Sequence, residues 1–214
     1  MTISLSDAGK RFNRDWIFRH LNFTFASGQS YAITGPNGSG KSTLLQALSG
    51  AMMLNEGSIE FGAGSQESGV NNTTIISNEN IYRHVSICAP YLEVVEEMTL
   101  KEFLEFHQGF KPLLKGITAD SIIATLGLVK ATNKQIRYYS SGMKQRVKLA
   151  QCIFSDSEIV LLDEPCTNLD TEGIDLYHRL IADYCKHRLV VVSSNDEVEY
   201  KFCQQVLSIS NYKK

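Results

Sequence analysis

Apolar residues follow two patterns along this chain. Short apolar runs typical of strands buried on both faces of a sheet lie at 31–34, 159–162 and 189–192. Segments with apolar residues at helical spacing lie at 41–49, from Thr99 onward, at 121–128 and at 143–154. This alternation predicts an α/β fold, in which a parallel sheet is covered by helices on both faces.

Local signals mark several element boundaries. Gly50 follows the first helical segment, at the position where glycine commonly ends a helix. Thr99 and Glu102 have the spacing of a capping box, in which two side chains satisfy N–H groups at the start of a helix. Residues 62–80 are rich in Gly, Ser, Asn and Thr, which predicts an exposed loop or a weak β excursion.

Length, charge and cysteine content narrow the class of protein. The 214 residues suffice for a single domain, 1–214, with a helical insertion in its middle. We expect no nucleic acid partner, because the net charge is −2 and phosphate-neutralising proteins show a basic excess. The scattered cysteines suggest neither a disulfide framework nor a zinc site. Without a membrane-spanning run or a signal peptide, we predict a cytoplasmic chain, unless a partner holds it at a membrane.

The strongest chemical signal is a glycine-rich segment between the first predicted strand and helix. It fits the pattern G-x-x-x-x-G-K-[ST] and reads Gly35, Pro36, Asn37, Gly38, Ser39, Gly40, Lys41, Ser42, followed by Thr43. Glycines let consecutive N–H groups turn inward around phosphate oxygens. Lys41 would contact the β and γ phosphates, and the Ser42 hydroxyl would bind Mg²⁺. A glycine-rich turn without a ligand is the alternative, which the flanking strand and helix disfavour.

Two acidic residues follow the apolar run at 159–162. Asp163 would hold Mg²⁺ through water, and Glu164 would accept a proton from the attacking water. Strand ends often carry acids, so this signal is only moderately specific alone. Together with the phosphate loop, it predicts a nucleoside triphosphatase site.

One further segment, taken together with the phosphate loop and the two acids, gives the chain a resemblance to the ATP-binding subunit of ABC (ATP-binding-cassette) transporters. The signature L-S-G-G-Q of that family resembles the stretch Tyr139, Ser140, Ser141, Gly142, Met143, followed by Lys144, Gln145 and Arg146. An ordinary helix N-cap at Ser140 is the alternative for this segment. The likeness also extends to the D-loop of the family, which matches Asn168, Leu169 and Asp170.

The resemblance implies a fold, a dimer and a membrane partner. It implies a P-loop NTPase core at 1–88 and 157–214 with an antiparallel β subdomain, and a helical subdomain at 89–156. The signature would complete the ATP pocket of the opposite subunit in a homodimer, or in a heterodimer with a related cassette. Separate transmembrane permease subunits would hold the chain on the cytoplasmic face of the cell membrane.

We assign aromatic and apolar side chains to two further contacts, although each of these side chains could instead pack in the core. Phe12 is our candidate for stacking on adenine, with Trp16 and Phe18 as rivals. By resemblance, an apolar groove for a helix of the permease would be formed by Tyr91, Leu92, Val94, Val95 and Phe103.

Two positions depart from the family pattern. A glutamine that contacts Mg²⁺ is replaced by Pro90 or Tyr91, depending on the alignment. A histidine that bonds the γ-phosphate is replaced by Asn195, which can donate a hydrogen bond but cannot carry a positive charge. Loss of one charge-assisted contact costs about 2 to 4 kcal/mol in the transition state, so we expect slow hydrolysis.

Two other functions remain as alternatives. Soluble ABC ATPases of DNA repair or translation usually carry a coiled-coil insertion or a second cassette, and neither is present in this sequence. An unrelated phosphate-loop kinase would leave the segment 139–143 without a role. The function that best accounts for the motifs is that of an ATPase that powers transport.

Overall fold

The computed structural model of the protein describes residues 1–64, 73–77 and 79–213. The strands are β1 (Thr2–Phe12), β2 (Asp15–Ala26), β3 (Ser30–Thr34), β4 (Glu56–Gly64), β5 (Thr73–Ile76), β6 (Val85–Cys88), β7 (Ile159–Asp163), β8 (Leu189–Ser193) and β9 (Gln205–Ser208). The α-helices are α1 (Lys41–Leu48), α2 (Leu100–Gln108), α3 (Ala119–Thr125), α4 (Ser141–Ile153), α5 (Thr171–Tyr184) and α6 (Glu197–Tyr200). Short 3₁₀ helices lie at Ile81–Arg83, Val129–Ala131, Ile136–Tyr138 and Ile209–Tyr212.

The central sheet is parallel, with the strand order β6-β7-β8-β3-β9. Its strands β3, β7 and β8 contain the three predicted apolar runs. Alternate residues of β7 pack into two different cores, with Ile159 and Leu161 on one face and Val160 and Leu162 on the other. This two-sided burial is the physical reason why the run is uninterrupted.

A second, antiparallel sheet has the order β2-β1-β4-β5. It contains part of the segment at 62–80, because β5 pairs with β4 from Thr73 to Ile76. The remainder of that prediction, at 65–72 and 78, lies outside the described residues. The parallel sheet, the antiparallel sheet and the helices agree with the predicted α/β architecture.

Three helices follow their sequence signals, and one does not. Gly50 has φ +76° just beyond α1, and Thr99 and Glu102 form the predicted capping box of α2. The helix predicted at 121–128 instead spans Ala119–Thr125. The prediction missed that the Thr118 hydroxyl accepts a hydrogen bond from the N–H of Ser121, which starts the helix earlier.

Helices α2, α3 and α4 lie between β6 and β7 in the chain and share one core with α5. This core is built from apolar side chains such as Leu104, Ile122, Val147 and Ile153. The division into a core at 1–88 and 157–214 and a helical subdomain at 89–156 stays a prediction. Of the helices in the described part of the chain, none is long and apolar enough to span a membrane.

Candidate nucleotide-binding site

The phosphate loop joins β3 to α1 in a conformation that depends on glycine. Gly40 has φ +106°, and a Cβ at this position would lie only 2.2 Å from Cγ2 of Ile17. Helix α1 begins directly after Gly40 without a side-chain cap. The N–H groups of its first turn are therefore not occupied by a side chain of the protein and are available to an anionic ligand.

Two buried polar side chains lie within this loop. The Lys41 ammonium group donates to the carbonyl oxygens of Gly35 at 2.9 Å and Pro36 at 3.4 Å, and the residue is 5% exposed. The Ser39 hydroxyl oxygen is buried and has no hydrogen-bond partner among the described residues. A loop with a buried cation and an unpaired hydroxyl is suited to binding a phosphate.

The two predicted acids follow β7 in different environments. Asp163 is 2% exposed, and its Oδ1 accepts a hydrogen bond of 2.7 Å from the Ser193 hydroxyl. Glu164 is exposed and has φ +44°, and its N–H donates to the Ser193 carbonyl oxygen at 2.9 Å. The buried acid is thus oriented by its neighbour on β8, while the exposed acid is free to contact a ligand.

One pocket brings the phosphate loop and Glu164 together. It has a volume of about 210 Å³, and its lining consists of Ile17, Asn37, Gly38, Gly40, Lys41, Ser42, Thr43 and Glu164. Ile17 was not predicted, because its position on β2 gives no sequence signal of proximity to Gly40. Asp163 and Phe12 are not part of this lining.

The residues at this site fit a magnesium ion. The described residues contain no group of three or more His, Cys, Asp or Glu side chains that could hold a metal alone. Mg²⁺ commonly binds one or two protein oxygens together with substrate phosphates, so it does not need such a group. Ser42 and Asp163 would supply those oxygens.

The signature segment lies at the start of α4. The Ser140 hydroxyl accepts a hydrogen bond from the N–H of Met143, so Ser140 is an N-cap. A pocket of about 560 Å³ is lined by Ser140, Ser141, Gly142, Met143, Arg146, Asn168 and Asp170 among others. A Cβ at Gly142 would lie 2.9 Å from the Asn168 carbonyl oxygen. The signature and the predicted D-loop are therefore adjacent, while Leu169 packs against the core.

Two residues that follow the signature connect α4 to the segment beyond β7. Gln145 is buried, and its Nε2 donates to the Pro165 carbonyl oxygen at 2.7 Å. Arg146 lies 3.3 Å from Oδ1 of Asp170. The N–H of Gly173 and the Arg146 guanidinium lower the pKa of the Asp170 carboxyl below its ordinary value. These contacts could not be predicted from the sequence, because their partners are far apart in the chain.

Asn195 lies against the phosphate loop. Its Oδ1 accepts a hydrogen bond of 3.2 Å from the N–H of Gly35, and its Nδ2 donates to Oδ1 of Asn37 at 3.0 Å. The side chain therefore links the end of β8 to the loop through two neutral hydrogen bonds.

The three aromatic candidates for adenine differ in exposure. Phe12 is 47% exposed, with the Lys10 ammonium nitrogen 5.4 Å from its ring centroid. Phe18 is fully buried, so its proposed role is wrong. Trp16 lies within cation–π distance of two guanidinium groups, those of Arg11 at 5.4 Å and Arg19 at 4.4 Å. Phe12 is the candidate with the most accessible ring.

The predicted apolar groove is only partly exposed. Val94 and Phe103 are 7% and 3% exposed, so they belong to the core and the prediction was wrong for both. Tyr91, Leu92 and Val95 are exposed at 48%, 38% and 38%. Partial burial raises the pKa of the Tyr91 hydroxyl above its ordinary value.

Comparison with known proteins identifies the family. The sequence matches the ABC transporter family over residues 18–167. An uncharacterized ABC transporter ATP-binding protein of Bacillus subtilis is 28% identical, over 98% of this chain and 93% of that protein. The cytochrome c biogenesis ATP-binding export protein of Rhodopseudomonas palustris is 31% identical, over 83% of each chain. The chain therefore belongs to the ABC transporter family, and it is an ATP-binding and ATP-hydrolysing subunit.

Solved structures agree on the fold. A bacterial ABC transporter cassette with a dimeric structure superimposes with a TM-score of 0.78 at 20% identity, covering 97% of this chain and 94% of that chain. The ATP-binding subunit of an ABC transporter gives 0.79 at 19% identity, covering 97% and 85%. At such identities the likeness concerns the fold alone. The two sequence relatives named above do not support the alternative in DNA repair or translation.

Proposed function

We propose that this chain binds ATP and Mg²⁺ between the phosphate loop and Glu164, and that it hydrolyses the ATP to power transport. The observation that carries this proposal is the single pocket shared by Lys41, Ser42 and Glu164. Backbone N–H groups of residues 38–43 and the Lys41 ammonium group bind the phosphates. Ser42 and Asp163 hold the ion, which supplies neutralisation of phosphate charge when bound.

Glu164 acts as the general base. Its exposed carboxylate accepts a proton from water, and the water oxygen bonds to the γ-phosphorus while the bond from that phosphorus to the bridging oxygen breaks. Ser193 orients the carboxylate of Asp163 and accepts the N–H of Glu164, so one residue of β8 positions both acids. Phe12 stacks on the adenine.

Asn195 contributes to the γ-phosphate end of the site. Its Nδ2 already contacts Asn37 in the phosphate loop, which supports a contact with a phosphate bound there. A neutral amide stabilises developing negative charge less than an imidazolium does. Slow hydrolysis is therefore the expected consequence of this substitution.

The working unit is a dimer of cassettes. The signature residues Ser140 to Met143 face a polar pocket rather than the phosphate loop of the same chain, which supports a role toward a second subunit. Two copies of this chain, or this chain and a related cassette, would enclose ATP between the phosphate loop of one and the signature of the other. Purified Glu164→Gln chain that dimerises on ATP addition would establish the homodimer.

The subunit acts at the cytoplasmic face of the cell membrane, on transmembrane permease subunits. Tyr91, Leu92 and Val95 form the contact, because they are the exposed members of the predicted groove. We expect Leu92→Glu with Val95→Glu to abolish co-purification with membranes while ATP binding survives. Val206→Glu is the matched control, since Val206 is 59% exposed on β9, at the opposite edge of the sheet from β6.

Affinity purification from membranes tests the whole proposal. Glu164→Gln should retain ATP, lose turnover and trap the chain with its permease subunits. Adding Lys41→Ala should reduce that trapping, because nucleotide binding is weakened. Turnover in Glu164→Gln equal to that of the wild type would contradict the role of Glu164.

A further inference from the structure

Glu199 is a buried carboxylate that the proposed mechanism does not use. It lies on α6 and is 5% exposed. Its Oε1 accepts a hydrogen bond of 2.7 Å from the N–H of Cys166. The N–H of Glu199 donates to the carbonyl oxygen of Asp196 at 3.0 Å, at the start of the same helix. The Tyr177 hydroxyl donates to the carbonyl oxygen of Glu199 at 2.8 Å and fixes the backbone of the residue.

The electrostatic surroundings of Glu199 are unfavourable for a carboxylate. Among the ion pairs of the described residues, none includes Glu199, and the charges that act on it are those of Asp196 and Glu164. Burial raises its pKa above the ordinary value, and the hydrogen bond from the N–H of Cys166 opposes that rise. A buried acid without a cation costs stability, so its presence calls for another explanation than stability.

Glu199 and its hydrogen-bond partner Cys166 belong to the two segments that carry the proposed catalytic residues. Cys166 lies two residues after Glu164, and Glu199 lies four residues after Asn195. The N–H of Glu164 is itself held by the carbonyl oxygen of Ser193 at 2.9 Å. Glu164 thus sits in a short segment that is bonded on both sides, and its φ of +44° is a conformation that needs such support.

We propose that Glu199 is a positioning residue for ATP hydrolysis, which fixes the segment carrying Glu164 relative to the segment carrying Asn195. Glu199 lies on the helix that begins directly after Asn195 and Asp196, and its carboxyl group accepts the N–H of Cys166 beyond Glu164, so the proposed base and the phosphate-facing amide keep a constant separation. The inference rests on the proposed roles of Glu164 and Asn195.

The test compares two substitutions in the full chain. Glu199→Leu removes the hydrogen bond from the N–H of Cys166, whereas Glu199→Gln keeps an acceptor oxygen for it. We expect turnover per nucleotide-binding site to fall by about 10-fold to 10²-fold in Glu199→Leu, because a small displacement of a catalytic group has effects of that size. Glu199→Gln should recover most of the turnover. Binding sites are counted with a fluorescent ATP analogue, whose affinity should change by less than about twofold.

A purely structural role predicts a different result. It would lower the number of binding sites and leave turnover per site unchanged, and that outcome would overturn the inference. Glu197→Gln is the matched control, since Glu197 is an exposed acid on the same helix, and it should behave as the wild type. Hydrogen exchange at the Cys166 amide gives a readout besides activity, and it should be faster in the Leu variant than in the Gln variant.

The failure of this inference differs from the failure of the proposed function. If Glu164→Gln abolishes turnover and Glu199→Leu retains it, only the role of Glu199 is rejected. Wild-type turnover no higher than that of Glu164→Gln would reject the catalytic assignment of Glu164 and the role of Glu199 together. Equal hydrogen exchange in all variants would likewise reject the role of Glu199.

Discussion

Helices α1 and α4 both direct their N-termini toward a pocket, yet the two ends are built differently. Helix α1 begins at Gly40, without a side-chain cap and with a lysine as its first residue. Helix α4 begins at Ser140, whose hydroxyl accepts the N–H of Met143. The N-terminus of α1 therefore leaves its first N–H groups to water or a ligand, whereas the Ser140 side chain satisfies one such group in α4.

This difference separates two ways of binding an anion. An uncapped end with a buried cation suits tight binding of a phosphate tail within one chain. A capped end keeps its shape without a ligand, and the Ser140 hydroxyl still has its proton to donate to a ligand from outside. The comparison indicates that α1 is the primary anion site and α4 the accessory one.

The largest expected effect is at the glycine before α1. Gly40→Ala introduces a Cβ 2.2 Å from Ile17 at φ +106°, whereas Gly38→Ala meets no atom within 4 Å at φ +75°. We expect Gly40→Ala to lower the free energy of unfolding by about 2 to 5 kcal/mol and Gly38→Ala by about 1 to 2 kcal/mol. Urea denaturation measures both. Equal losses would mean that contact with Ile17 does not shape the loop.

Removing the Lys41 ammonium group at the start of α1 should weaken nucleotide binding. Lys41→Ala deletes a charge-assisted contact, which predicts a loss of affinity for ATP of about 10-fold to 10²-fold. Lys148→Ala is the matched control, because Lys148 also donates to a carbonyl oxygen, that of Pro90, but does not line the pocket. Fluorescence titration with an ATP analogue measures the affinity. An equal loss in both variants would remove the contrast between the two helix ends.

At α4, the cap and the ligand contact can be separated. Ser140→Ala should lower the free energy of unfolding by about 1 kcal/mol, because the N–H of Met143 loses its acceptor. Ser140→Asp keeps an acceptor there but places a negative charge toward the second phosphate site. We therefore expect it to retain stability yet lose ATP-induced dimerisation in a Glu164→Gln background, measured by light scattering. Dimerisation by the Asp variant would argue against the accessory site.

The smallest expected effect is at helix α2, whose N-terminus is of a third type, a capping box. Its Glu102 carboxylate accepts the N–H and the hydroxyl of Thr99, and these hydrogen bonds lower its pKa below the ordinary value of 4.5. A lowered folded-state pKa adds stability that is present above pH 4.5 and is lost as pH falls through the lower value. The stability difference between wild type and Glu102→Gln should therefore shrink on acidification in thermal unfolding. A stability difference that stays constant as pH falls would show that titration of Glu102 in the capping box does not affect stability.

Contiguous motifs could be predicted from the sequence, because their function depends on local spacing. The phosphate loop from Gly35 to Ser42 and the strand ending at Asp163 both follow from residues next to each other in the chain. The pocket that contains Lys41 and Glu164 was expected, since parallel strands place their carboxyl ends at one edge of a sheet.

Contacts across the fold could not be predicted in the same way. For Phe18 and Val94 the sequence left a surface role and a core role open, because apolar character does not reveal which face of an element is buried. The contact of Glu199 with Cys166 joins residues that α5 and β8 separate in the chain, and no local sequence pattern indicates it. Such pairings depend on tertiary packing alone.

The hydrogen bond from Gln145 to Pro165 has a mechanical consequence. The backbone crosses between the sheet and the helices α2 to α4 only after β6 and before β7, and this amide adds a noncovalent tether between them. Pro165 directly follows Glu164, the proposed general base. A displacement of α4 would therefore be transmitted through this hydrogen bond to the backbone next to Glu164.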